Sequence, residues 1–315
     1  MTARRWFLGI GLLVMTACSS NSSHRPSASL AASQPTASHL TDGRVVFSAG
    51  GPHAEDIYVV NLDGSGLQKL TTDPAADFDP AWSPDARQIA YRHQPGDDRT
   101  TEIWVMNADG SNAHAITQND VADWGPCWTP DGRVSWNSAV DAPAGGFHLW
   151  VADADGSNQH SLGDVVVEYP AWSADGARVA FMAQEPGASG SNPDYNIWVM
   201  NADETNPQRL TDTPGEDGWP AWSPDGTKIA FASARDDTGG SLGPMQHVYV
   251  MNADGSDQHL LIDAFGQFVD WSPDGTTILF SPGLHLVTPA GEDLGSVPLS
   301  GVPGDVLFAD WAPAL

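Results

Sequence analysis

Tryptophan returns through this chain at a nearly constant interval. Trp82, Trp128, Trp172, Trp222, Trp271 and Trp311 stand 46, 44, 50, 49 and 40 residues apart. A period of this length marks one small supersecondary unit repeated, each copy too thin to bury its apolar face without its neighbours. Four of the rings sit in Pro80-Ala81-Trp82-Ser83, Pro126-Cys127-Trp128-Thr129, Pro170-Ala171-Trp172-Ser173 and Pro220-Ala221-Trp222-Ser223. The fifth and sixth, Val269-Asp270-Trp271-Ser272 and Ala309-Asp310-Trp311-Ala312, keep only the ring. A tight turn such as Pro224-Asp225-Gly226 follows, then an alternating apolar segment such as Ile229-Ala230-Phe231, which predicts a hairpin. A third strand is expected at Ile57-Tyr58-Val59-Val60 and its equivalents, and after a second turn such as Asp109-Gly110-Ser111, a short fourth. Of the 40 acids 33 are Asp, alongside 32 Gly and 24 Pro, so much of the negative charge is expected to be turn chemistry.

Four strands per unit of about 45 residues predict an all-β chain of propeller blades. The termini supply the count. Asp310-Trp311-Ala312 is a first strand without its second, and Asp42-Gly43-Arg44-Val45-Val46-Phe47 is a second strand without its first. Joined, they complete a sixth blade and hide both sheet edges. The Trp-Ser-Pro-Asp-Gly and Asn-Ala-Asp-Gly-Ser pairs resemble the repeats of the TolB-like six-bladed β-propellers over residues 41–315. That resemblance implies a stand-alone relative without TolB's small α/β domain, used as a partner-binding module or as the scaffold of an enzyme.

Ahead of the propeller, residues 1–17 have the layout of a secretory signal peptide: Arg4-Arg5, an apolar run from Trp6 to Met15, then Thr16-Ala17. The run is too short to span a bilayer. Met15-Thr16-Ala17-Cys18 resembles the lipobox of bacterial lipoproteins, which implies acylation at Cys18, an exported chain held at the outer face of a bacterial membrane, and residues 18–40 as lipidated Cys and flexible tether. The export route is either the general one or the twin-arginine one. Cys127 then has no partner for a disulfide and reads as a small buried residue.

The formal net charge of -27 and the presence of only two lysines, Lys69 and Lys228, exclude nucleic acid as a partner. Turns within and between strand pairs divide into a tight, stereotyped face and a loop-rich face bearing residues 93–99, 141–146, 185–194 and 235–246. The loop-rich face is where a binding site is expected. Just before the inner strands stand Asp77 and Asp79; Asp123 and Trp124; Glu168 and Tyr169; and Glu216, Asp217 and Trp219. These are the ligand-binding candidates: acids and aromatic rings around a channel mouth, suited to a peptide or glycan, a cationic ligand, or a Ca2+ ion. The competing structural reading is that such acids tie loops to neighbouring blades. No Gly-x-Ser-x-Gly elbow or metal-spaced His pair is present, so no catalytic residue is assigned. The expected function is a monomeric, non-catalytic binding or scaffolding lipoprotein of the cell envelope, with an envelope protein, peptide or glycan as partner. The alternatives are a metal-dependent lactonase or a lyase acting on acidic sugars, and a sensor or accessory subunit of an envelope complex.

Overall fold

The computed structural model describes residues 43–51, 54–96, 100–142, 146–184, 195–236 and 246–313. Cys18, the expected signal and tether segments, His53 and the loop at 185–194 lie outside the described residues, as does most of the loop at 235–246. The described residues contain no helix and form six antiparallel sheets of four strands. Blade 2 is representative, with Ala76–Trp82 innermost, then Gln88–Gln94, Glu102–Asn107 and His114–Ala115 outermost. Blade 1 is assembled from both ends of the chain. Its inner strand is Asp305–Trp311, paired with Arg44–Gly51 so that Val45 faces Trp311 and Gly50 faces Asp305. The closure expected from the termini is therefore present, and six blades make the ring.

The core is divided into six wedges, one between each pair of neighbouring blades. Val46, Ile57 and Val59 of blade 1, for example, pack with Trp82, Ile89, Tyr91 and Met106 of blade 2. The repeated Trp is the centre of each wedge. Trp128 Nε1 donates to the Ala81 carbonyl of the preceding blade at 3.0 Å, and Trp222 Nε1 to that of Ala171 at 3.1 Å. Such a ring buries enough apolar surface that truncation to Ala costs about 3–5 kcal/mol.

The residue after each Trp sets the turn. The Ser83 hydroxyl accepts from Gln88 N at 2.9 Å and donates to Asp85 Oδ1 at 2.7 Å, while Asp85 Oδ1 also accepts from Arg87 N. Ser173, Ser223 and Ser272 repeat the pattern with Asp175, Asp225 and Asp274. On the second turn, hydroxyl and backbone donors at Ser65, Ser111 and Ser256 hold Asp63, Asp109 and Asp254 below the usual carboxylate range. Asp153 and Asp155 accept from Ser157 in the same way, so that segment is a turn.

Candidate binding site at the central channel

Each inner strand breaks its ladder once, at the same place: the register slips between Phe78 and Ala81, Trp124 and Cys127, Glu168 and Ala171, Gly218 and Ala221, and Gln267 and Asp270, and in blade 1 opposite Phe47 and Ser48. Each slip is a β-bulge with one residue in the left-handed region: Asp79, Gly125, Tyr169, Trp219, Phe268 and Phe308, with φ between 39° and 55°. All six stand three residues before the repeated Trp. In four blades the next residue is Pro, which has no N–H to give a ladder and so belongs at a bulge.

The bulge aims this column of residues at the axis. Together the six inner strands enclose a cavity of about 560 Å3 lined by all six bulge residues, by the residue just before each Trp, and by prolines. Tyr169, Trp219, Phe268 and Phe308 form a continuous aromatic arc, with centroids 5.9, 5.0 and 3.8 Å apart. Gly125 leaves a gap in the ring of side chains, and Asp79 fills the last position. Burial raises the Asp79 carboxyl above its ordinary value, and Arg92, whose Nε lies 3.0 Å from Asp79 Oδ2, opposes that rise. Arg92 in turn lies over the Phe78 and Trp124 rings, at 4.5 and 5.4 Å. The mouth is thus mainly aromatic, with one carboxylate already paired to a cation.

Two residues further along each strand the lining reads Ala81, Cys127, Ala171, Ala221, Asp270 and Asp310. The two acids are neighbours and hydrogen-bond each other. Asp270 Oδ2 accepts from Trp311 N at 2.9 Å, and Asp310 Oδ2 from Trp82 N at 2.6 Å, so each ties its blade to the next inner strand. Burial pushes Asp270 up to about 6, and burial together with the Asp270 charge pushes Asp310 well above the ordinary value. Two carboxyls this close and this buried favour sharing a proton over both being ionised. Burial pushes the Cys127 thiol up to about 12, so it is inert, as its small-residue reading requires.

Of the nine ligand-binding candidates read from the sequence, Asp79, Tyr169 and Trp219 line this channel. The other six are placed elsewhere. Asp77 accepts from or pairs with His93 Nδ1 at 2.8 Å, and Asp123 accepts from Asn119 Nδ2 at 2.8 Å. Asp217 binds Arg235 Nη2 at 3.1 Å, and Glu168 accepts from the Tyr195 hydroxyl at 2.9 Å. Trp124 packs on Phe147 at 5.4 Å, and Glu216 is raised by burial and by Asp217 next to it. The physical reason is phase. Asp77, Asp123 and Asp217 stand five residues before the Trp, ahead of the bulge, where the side chain turns toward its own blade. These acids therefore do not join the aromatic arc in the lining of this cavity. Phe308, Gly125 and the Asp270–Asp310 pair escaped the sequence reading, although aligning the repeats on Trp shows them as single columns.

Residues 164–284 match the family model described as the TolB beta propeller domain. Among solved structures, TolB from Acinetobacter baumannii superposes with a TM-score of 0.70 at 19% identity, over 87% of this chain and 68% of its own. The chain folds as a TolB-like six-bladed β-propeller. A TolB-type protein of Agrobacterium tumefaciens gives a TM-score of 0.62 at 17% identity, over 86% of this chain and 99% of its own. A gluconolactonase from Xanthomonas campestris gives 0.54 at 16% identity, over 84% and 83%. No curated protein matches. At these identities the likeness shows the fold alone, which a gluconolactonase shares, and the site has to speak for the function.

Proposed function

We propose that this TolB-like propeller is a binding protein of the bacterial envelope, tethered through a lipid on Cys18, that receives a segment of an envelope protein in its channel. The observation behind this reading is the bulge in every inner strand, which turns Tyr169, Trp219, Phe268 and Phe308 toward one axis. Aromatic rings offer large contact area at small entropic cost, and here they frame a concavity wide enough for one or two side chains. Because Arg92 already neutralises Asp79, the preferred insert is an apolar or aromatic side chain with a polar backbone.

A photoreactive phenylalanine analogue at Phe308, with the same analogue at Ser111, in the exposed turn before the outermost strand of blade 2, as control, tests this in cells. A discrete adduct from Phe308 alone, reduced at least tenfold by Trp219→Ala, is expected. Equal adducts from both positions, or one indifferent to Trp219, would overturn the reading. The gluconolactonase likeness and the proton-sharing Asp270–Asp310 pair favour a second reading, hydrolysis or elimination on acidic sugars, for which turnover of lactones or uronides with added Mn2+ or Ca2+ is the assay.

A further inference from the structure

Three blades place a fully buried Asp five residues before the Trp, and the loop ahead of each supplies its partner four residues earlier. In blade 3 the pair is Asn119 and Asp123, with Asn119 Nδ2 donating at 2.8 Å. In blade 5 it is Thr213 and Asp217, with the Thr213 hydroxyl 3.3 Å away and Arg235 adding a full positive charge. In blade 2 the same column is Asp73, a carboxyl group where the other two blades carry an amide or a hydroxyl. The residue across the ladder also changes, from Ser138 and Ser233 to His93.

Blade 2 has therefore lost two ordinary donors and gained a carboxylate and an imidazole. One ligand atom from each of Asp73, Asp77 and His93 lies within 4.8 Å of the others. His93 Nδ1 and Asp77 Oδ1 are hydrogen-bonded at 2.8 Å and need part by only about 0.5 Å to occupy neighbouring corners of a tetrahedral ion. Asp77 is wholly buried and its Oδ2 receives no hydrogen bond. Two carboxylates placed this close, one of them fully buried, repel unless a cation joins them.

We propose that Asp73, Asp77 and His93 form a binding site for a divalent transition-metal ion of the zinc type, outside the channel, at the junction of blades 1 and 2. Imidazole is a poor ligand for Ca2+ and a good one for Zn2+ or Mn2+. Exposed Asp73 gives the ion a way in and leaves its remaining positions to water, while buried Asp77 fixes the geometry. The ion would clamp the loop between blades 1 and 2 to an inner strand.

The test uses the mature chain treated with chelator, with ZnCl2 as the probe and CaCl2 as the control. Titration calorimetry is expected to show one zinc per chain, and zinc is expected to raise the melting temperature where calcium does not. Asp73→Asn rebuilds the arrangement of blade 3, so it should fold at least as well as the parent without metal, yet bind zinc at least 100-fold more weakly and lose the thermal shift. His93→Ser, the residue of blades 3 and 5, should do the same. The proposal is overturned if the parent takes up no zinc, or if Asp73→Asn keeps the parent's affinity, which would place the ion on other histidines.

Discussion

At the scale of single residues, position relative to the repeated Trp decides what an acid does. Two residues after the turn Ser or Thr, Asp is held charged by a hydroxyl and a backbone N–H, as Asp85 and Asp225 are. Immediately before Trp, Asp270 and Asp310 are buried against each other and take up a proton. The sign of the pH effect follows. An Asp in the unfolded chain titrates near its ordinary value, so above that value and up to the raised one the native state keeps a proton that the unfolded chain has lost. Stability therefore falls as pH rises through this window, and Glu168, pushed up to about 7 by burial, adds in the same direction. Asp310→Asn keeps an acceptor for Trp82 N and supplies a fixed donor to Asp270. Denaturant unfolding across pH 5–8 should show a markedly shallower slope for this variant than for the parent, and identical slopes would mean the two carboxyls do not share a proton.

Among elements, the inner strand does most to define the molecule, and it was only partly legible in advance. The Trp period, the Asp-Gly turns and the matched half-blades at the two ends identified strand, blade and closure, because these follow from local chemistry and from counting. The bulge did not announce itself as a change of facing: strict alternation from Trp82 would send Asp79 away from the side that Ala76 shares, and the slip between Phe78 and Ala81 resets that phase. Hence Asp77, Asp123 and Asp217 read as channel residues from their place in the chain, while Phe308 went unnoticed. The closing strand gives a direct test. Removing residues 306–315 takes away the partner of Arg44–Gly51 and strips Val306 and Trp311 from the wedge that holds Val45 and Phe47. That truncation should lower the melting temperature by more than 10 °C or prevent folding, whereas removal of residues 19–40 should leave it within about 2 °C. Equal melting temperatures would defeat the closure.

For the whole molecule, the propeller is a ring whose two faces differ in build, short stereotyped turns on one and longer loops on the other. If Cys18 carries the lipid, Cys18→Ala should remove all incorporation of labelled palmitate, since Cys127 lies half-buried in the channel lining with its thiol pushed up to about 12. Label retained in the variant would relocate the anchor. The division of the core into wedges has one more effect, on the order of events as the chain emerges during synthesis. No blade can complete its packing until the next has arrived, and blade 1 waits longest, because its inner strand is the last to appear. Until then Arg44–Gly51 offers a bare edge to any passing strand. Folding of this ring is accordingly slow and vulnerable to interruption, and a chain released a few residues early is an aggregation hazard rather than a slightly smaller protein.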